Sequence, residues 1–189
     1  MTNQATIEQL ALRLREAQIH RQPCAPIREV IGVEDIKAAY AIQDLNNQLR
    51  IDAGARVVGR KIGLTSKVVQ QQLGVDQPDY GSLLHDMEVL NGDSLSVQEI
   101  LQPKAEGEIA FVLGQDLNSD QLSTMDLLSA IDYVLAAIEI VGSRINNWNI
   151  KITDTIADNA SASHFVLGHR PLPLKDIDLI NCQMRMYKN

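Results

Sequence analysis

Three glutamates in apolar surroundings are the residues of this sequence best suited to chemistry. Glu106 and Glu108 open the run 105–113, AEGEIAFVL, and Glu139 lies in the middle of the apolar run 136–142, AAIEIVG. Side chains two apart in a strand share one face, roughly 6.6 Å from each other, so Glu106 and Glu108 should point to the same side. Like charges repel, and a carboxylate buried without a partner costs several kcal/mol. A positive charge is therefore expected between them.

A divalent cation is the simplest source of that positive charge. The cluster offers only carboxylate oxygens, with no cysteine or histidine, which favours Mg²⁺ or Mn²⁺ over zinc. Three carboxylates leave about three positions of an octahedron for water or substrate, and such an open site can polarise a carbonyl or stabilise an enolate. Two plainer interpretations stand beside this one. The first two glutamates could be the solvated start of a strand, and Glu139 could pair with a lysine or arginine.

Short apolar segments, several of them interrupted by glycine, are predicted to be the strands that carry these side chains. The first, RVVGRKIGL, holds Lys61 and so places a cation on a third strand beside the carboxylates. The strand of Glu106 should be buried from residue 109 to 113, while Gly107 leaves its other face open. The last segment, LINCQMRMYK, alternates apolar and polar residues, and a strand there would end without a partner. The predicted strands are 56–64, 106–114, 136–143, 164–168 and 179–188.

Helices are predicted mainly in the first fifty residues, where apolar side chains recur at helical spacing. Two prolines in QPCAP separate the first two helices, and Gly54 follows the second. Ser66 and Ser123 are suitable N-caps for two shorter helices. Two segments rich in turn-forming residues, VDQPDYGSL (75–83) and DNASAS (158–163), are predicted to be loops. The predicted helices are 6–20, 34–52, 67–73 and 123–134.

Composition limits the classes of function. A chain of 189 residues with 45% hydrophobic residues is long enough for one domain, or for a domain with a small N-terminal addition. The net charge of −7, without any Lys/Arg cluster, argues against a nucleic-acid partner. No run of eighteen apolar residues predicts a membrane span, and the polar N-terminus does not resemble a secretory signal. Cys24 and Cys182 follow no metal or redox spacing, which favours two reduced thiols in a cytoplasmic protein.

Four blocks of the sequence closely resemble the 2-keto-4-pentenoate hydratase family of the fumarylacetoacetate hydrolase superfamily. They are GRKIGLTSKVVQQQLGVDQPDYGSLL, QPKAEGEIAFVLG, AAIEIVGSRINNW and DTIADNASASHFVLG, in that order. The resemblance implies an α+β fold, a mixed β-roll or barrel with outer helices. A helical N-terminal region would span 1–54 and an incomplete catalytic roll 55–189. Family members continue past this point, so the C-terminal portion of the roll is expected to be missing.

The resemblance also implies roles for individual residues. The three glutamates would be the metal ligands. Lys61 in RKIG would contact the substrate and help to move protons, and Asp79 in QPDYG would be an active-site acid. Ser161 in DNASAS would lie near the substrate carboxylate, with Asn159 beside it. Plainer roles remain open for two of these residues, because Lys61 could form a salt bridge to a glutamate and Asp79 could simply shape a turn.

The expected reaction is the addition of water to 2-hydroxypenta-2,4-dienoate (2-keto-4-pentenoate) to give 4-hydroxy-2-oxopentanoate, in bacterial meta-cleavage degradation of aromatic compounds. Family members form homo-oligomers, and hydratases and decarboxylases of this kind can associate. Two alternatives are kept. The close relative 4-oxalocrotonate decarboxylase shares the metal glutamates, although the GVDQPDYG block is more like the hydratases. A truncated, non-catalytic partner subunit is the alternative of another class.

Overall fold

A computed structural model describes residues 2–188 of the chain. Three helices come first in the chain, and strands interspersed with short helices follow. The helices are α1 (Gln4–His20), α2 (Arg28–Ile31), α3 (Ile36–Asp52), α4 (Lys67–Leu73), α5 (Thr124–Ala130) and α6 (Ile152–Ala157). The strands are β1 (Val57–Gly63), β2 (Asp79–Leu84), β3 (Lys104–Leu113), β4 (Ile131–Val141) and β5 (Ala162–Leu167).

The two long N-terminal helices pack as their sequence pattern predicts. Asn3 caps α1 and Asp35 caps α3, each through a side-chain oxygen that accepts from the backbone of the first turn. The buried face of α1 consists of the predicted apolar positions, which are Ile7, Leu10, Ala11, Leu14 and Ala17. All of these side chains except Ala17 form one core with residues of α3 and α6 and with Ile145. Apolar burial therefore joins the helical region to the segment that follows β4. The division into regions 1–54 and 55–189 stays a prediction.

The strands form two antiparallel sheets. Strands β1 and β2 make a two-stranded sheet in which Lys61 faces Gly81 and Gly63 faces Asp79. Strands β3, β4 and β5 make a three-stranded sheet in that order. Glu106 of β3 is directly opposite Glu139 of β4, and directly opposite residues share a face of the sheet. The register therefore places the three glutamates on one face.

Two predicted boundaries are wrong, for the same physical reason. The predicted loop 75–83 contains the first residues of β2, and the predicted helix 123–134 ends at Ala130, where β4 begins. In both places the backbone hydrogen bonds of a neighbouring strand prevail over local preference. Tyr133 and Val134 pair with β3, and the turn-forming residues around Gly81 pair with β1.

Three expectations about the strands themselves are corrected. Residues 179–188 form no strand within the described part of the chain. This segment instead lies against β3, because a Cβ atom added at Gly107 would overlap the sulfur of Met184. The face of Gly107 is therefore covered rather than open. Strand β3 is also not fully buried, since Phe111 and Leu113 are each 46% exposed.

Candidate metal centre

The carboxylates of Glu106, Glu108 and Glu139 converge. One oxygen from each lies within 4.8 Å of the other two, a spacing that a single cation can bridge. Glu139 is 6% exposed, whereas Glu106 and Glu108 face solvent. The cluster therefore has one buried wall, formed by β4, and one open side, formed by the start of β3. This geometry suits an ion that is held by protein on one side and is accessible on the other.

Lys61 reaches this cluster from the other sheet. Its Nζ lies 3.3 Å from Oε1 of Glu139 and donates a hydrogen bond of 2.9 Å to the carbonyl oxygen of Ala160. The side chains of Lys61 and Glu139 are 11% and 8% exposed. Although the two charges are close, Oε1 of Glu139 accepts no hydrogen bond from any described residue. The contact between Lys61 and Glu139 is therefore an ion pair, because charge attraction at 3.3 Å does not need hydrogen-bond alignment.

One lysine does not balance three carboxylates. Burial raises the pKa of Glu139 from 4.5 to about 7; Lys61 opposes this shift, and the charges of Glu106 and Glu108 add to it. The pKa of Glu108 is also raised, by burial and then by Glu106. A divalent cation fits this place, since it would take carboxylate oxygens of all three glutamates as ligands and supply the positive charge that Lys61 alone does not. The donor set is made of hard oxygens, as Mg²⁺ and Mn²⁺ prefer.

Asp79 is held beside Lys61 at the start of β2. It is 3% exposed, and its carboxylate occupies the space that a Cβ atom at Gly63 would enter. Thr155 of α6 donates a hydrogen bond of 3.1 Å to Oδ2 of Asp79. Burial raises the pKa of Asp79, while Lys61 and Thr155 oppose that shift. In the sequence KIG, Lys61 supplies the cation, and Gly63, two residues later, leaves room for the carboxylate of Asp79.

The predicted loop 158–163 forms the third side of the site. Ser161 is 4% exposed, and its Oγ lies 3.5 Å from Oγ1 of Thr155. Asn159 points elsewhere, since its amide bonds to Ser82 of β2 and to Asn47 of α3. The structure therefore brings together the glutamates, Lys61, Asp79 and Ser161, and it turns the side chain of Asn159 towards the scaffold.

The sequence does not predict two groups of the site, the hydroxyl of Thr155 and the backbone carbonyl of Ala160. Thr155 and the carbonyl of Ala160 contact Asp79 and Lys61, which lie 76 and 99 positions away in the chain. No local pattern identifies such contacts. The one indication in the sequence is that Thr155 and Ala160 both fall within DTIADNASAS, part of a block that resembles the hydratase family.

Comparison with known proteins identifies the family. No family model matches the chain. A protein named TodF product hydratase, from Pseudomonas putida, is 58% identical over 153 residues, which are 81% of this chain and 57% of that protein. A 2-keto-4-pentenoate hydratase from Burkholderia vietnamiensis is 50% identical over 186 residues, which are 98% of this chain and 71% of that protein. The chain belongs to the 2-keto-4-pentenoate hydratase family. The predicted resemblance is confirmed.

A solved structure extends the likeness to the fold of this hydratase-family chain. 4-Oxalocrotonate decarboxylase from Pseudomonas putida, complexed with magnesium and adipate, matches with a TM-score of 0.86 at 29% identity. The match covers 95% of this chain and 68% of the decarboxylase. The structural match confirms the predicted mixture of helices and strands. Closure into a roll or barrel, and the loss of a C-terminal portion, stay predictions.

Proposed function

We propose that this chain acts as a metal-dependent hydratase that adds water to 2-hydroxypenta-2,4-dienoate to give 4-hydroxy-2-oxopentanoate. The observation that carries the proposal is the convergence of three carboxylates with Lys61 at one face of the strands. The names of relatives that are 50 to 58% identical support the same reaction. We further propose that this chain works in the meta-cleavage degradation of aromatic compounds.

The metal ligands in this proposal are Glu106, Glu108 and Glu139. Support comes from the convergence of three carboxylates on one lysine and from the magnesium in the similar decarboxylase. A bound Mg²⁺ or Mn²⁺ would act as a Lewis acid towards the 2-oxygen and carboxylate of the substrate. The protein contributes the shape of the site. The buried carboxylate fixes one side of the ion, and the exposed pair leaves the opposite side open to a small keto acid.

Lys61 and Asp79 are the proposed proton-transfer residues. Lys61 Nζ is held by the Ala160 carbonyl at the edge of the carboxylate cluster, so its remaining hydrogens can face a bound substrate. Asp79 is buried beside Lys61, and burial raises the pKa of its carboxyl, while Lys61 and Thr155 oppose that shift. In this proposal Asp79 gives a proton to C5, and the 2-hydroxyl gives up its own proton as the 2-oxo group forms. Water then adds at C4. The two protons released, one from the 2-hydroxyl and one from the water, pass through Asp79 and Lys61, and they end on C3 and on Asp79.

Ser161 completes the proposed substrate site. Its hydroxyl is buried, with Oγ 3.5 Å from Oγ1 of Thr155, and it can turn its single hydrogen towards a bound carboxylate. We assign it to the substrate carboxylate. Asn159 was predicted for the same purpose, but its amide is already bonded to Ser82 and Asn47, so we propose no direct substrate contact for it.

The setting of the enzyme is also a proposal. We expect a cytoplasmic homo-oligomer that can associate with a related pathway enzyme. Both cysteines are free thiols in the structure, and Phe111, Leu113 and Ile138 expose apolar surface that a second copy could cover. Across residues 2–188, no helix is both long and apolar enough to traverse a bilayer.

Decarboxylation of a 2-oxo diacid is the second candidate, because the similar solved structure is 4-oxalocrotonate decarboxylase. The two reactions share the metal and differ in the bond that is broken. The purified chain, supplied with Mg²⁺, should consume 2-hydroxypenta-2,4-dienoate, which is followed by its ultraviolet absorbance. It should release no carbon dioxide from 4-oxalocrotonate.

Glu139→Gln is the matched variant for this assay, because it keeps the size of the side chain and removes a ligand charge. It should lose Mn²⁺ binding and turnover together. Carbon dioxide release by the wild-type chain would favour the decarboxylase instead. If neither substrate is consumed although metal binds, the chain is the non-catalytic subunit.

A further inference from the structure

Residues 159–161 adopt an uncommon backbone conformation beside the site. Asn159, Ala160 and Ser161 have φ angles of 55°, 51° and 58°. Residues other than glycine rarely take the left-handed conformation, although asparagine does so more readily than most. Three in succession persist only when the surroundings hold them. We call this segment the left-handed turn.

The side chain of Asn159 fastens the left-handed turn to β2. Its Oδ1 accepts from the backbone N–H of Ser82 at 2.8 Å, and its Nδ2 donates to the carbonyl of Ser82 at 2.9 Å. The amide thus pairs with Ser82 as a neighbouring strand would. Asn47 of α3 adds a third bond to Oδ1, at 3.2 Å. Both polar atoms of the amide are therefore engaged with the protein.

The fastened turn ends against Lys61. Gly81 is the direct partner of Lys61 across the β1–β2 ladder. A Cβ atom at Gly81 would overlap the backbone oxygen of Asn159, so the turn lies directly on this glycine. The next carbonyl, of Ala160, accepts the hydrogen bond from Lys61 Nζ at 2.9 Å. Ala160 itself is 2% exposed, so water does not easily replace this acceptor.

We propose that Asn159 is a positioning residue: through Ser82 it holds the left-handed turn in the place where the Ala160 carbonyl fixes Lys61 Nζ beside Glu139. Asn159 then acts on the reaction through Lys61 and not through the substrate. The kinetic consequence rests on the proposed function. The effect on the accessibility of Lys61 does not, because it follows from the hydrogen bonds alone.

Asn159→Gly is the sharpest test, since glycine takes a positive φ without strain and the variant removes only the amide. Asn46→Ala is the matched control. It removes a half-buried amide of α3 that accepts from Arg15 at 2.6 Å, outside the site. In Asn159→Gly we expect kcat for the dienoate to fall by about tenfold or more. KM and the Kd for Mn²⁺ should stay within about twofold, because the carboxylates lie on β3 and β4. Asn46→Ala should keep the wild-type kcat.

A second measurement does not depend on turnover. Limited acetylation with acetic anhydride, followed by peptide mass spectrometry, reports how accessible each lysine is. At constant pH, Lys61 should be acetylated faster in Asn159→Gly than in the wild type, relative to the exposed reference Lys188 in the same sample. Asn46→Ala should leave that ratio unchanged. Should Asn159→Gly fail to fold, Asn159→Asp takes its place, because it keeps the acceptor for the Ser82 N–H and puts a carboxylate oxygen, in place of the donor, against the Ser82 carbonyl.

The outcomes separate the two proposals. A wild-type kcat in Asn159→Gly, or an equal loss of kcat in Asn46→Ala, would overturn the positioning role. An unchanged acetylation ratio for Lys61 would overturn it as well. If the wild-type chain does not hydrate the dienoate, the proposed function fails, and the acetylation ratio alone decides the role of Asn159. A tenfold loss of Mn²⁺ affinity would place Asn159 among the supports of the metal and also reject our proposal.

Discussion

At the scale of single residues, Glu139 is the buried member of the carboxylate cluster. Its neighbours on β4 are apolar, and its carboxylate is almost completely buried. Lys61 compensates only part of that burial, as the raised pKa of Glu139 shows. A buried carboxylate that is only partly compensated destabilises a fold, so a cation bound at the cluster would offset this cost.

The pH dependence of stability follows from the same residue. The pKa of Glu139 is about 7 in the folded, metal-free protein and 4.5 as the ordinary value. Because the folded state holds the proton more tightly, its contribution to stability is fully present below pH 4.5 and is lost as the pH rises through 7. Glutamine does not titrate. In the metal-free state, Glu139→Gln should therefore lose less stability than the wild type between pH 5 and pH 8, by about 1–3 kcal/mol.

Urea unfolding at pH 5, 6, 7 and 8, after removal of metal, measures this difference. Glu88→Gln, at an exposed position outside the cluster, is the control and should follow the wild type. Equal pH slopes for Glu139→Gln and the wild type would mean that Glu139 titrates normally in the folded state.

At the scale of elements, a buried ion pair joins the strands to the helical core. Arg144 follows β4, and Asp158 follows α6 immediately before the left-handed turn. The Arg144 side chain bonds to the Asp158 carboxylate and, at 2.6 Å, to the Asp158 carbonyl, and its backbone N–H bonds to the same carboxylate at 2.9 Å. Both residues are less than 10% exposed. This contact fixes where the turn begins.

Removal of one partner should be costly. Asp158→Ala leaves the Arg144 guanidinium buried and uncompensated, so we expect a loss of about 3–5 kcal/mol in the free energy of unfolding. Asp86→Ala is the matched control, because it breaks the pair with Arg50, in which both side chains are more than 40% exposed. That loss should stay below about 1 kcal/mol. Denaturant unfolding of the three proteins gives both values, and similar losses would show that burial does not govern the Arg144 pair.

At the scale of the whole molecule, three separate parts of the chain meet at one site. The β1–β2 sheet supplies Lys61 and Asp79, the β3–β4–β5 sheet supplies the glutamates, and the left-handed turn supplies Ser161. A ligand that binds the folded arrangement and not the unfolded chain stabilises the fold by mass action. A metal held by two strands should therefore stabilise the whole protein.

Thermal unfolding measures this linkage. At a Mn²⁺ concentration about 100 times the Kd, the wild-type chain should gain about 2.7 kcal/mol of stability, seen as a higher Tm. Glu139→Gln should gain almost nothing, while Glu88→Gln should gain as much as the wild type. An equal increase of Tm in all three proteins would indicate that Mn²⁺ binds outside the glutamate cluster.

The sequence by itself determined the helices α1 and α3, most of the strands and the chemistry of the three glutamates. Apolar spacing decides which face of a helix is buried, and a carboxylate in an apolar strand requires a partner wherever that strand lies. Only the tertiary structure decided that Asp79 begins a strand, that the segment 179–188 covers Gly107 without pairing, and that the amide of Asn159 is occupied by Ser82. Those outcomes depend on contacts between residues far apart in the chain, which local preference does not encode.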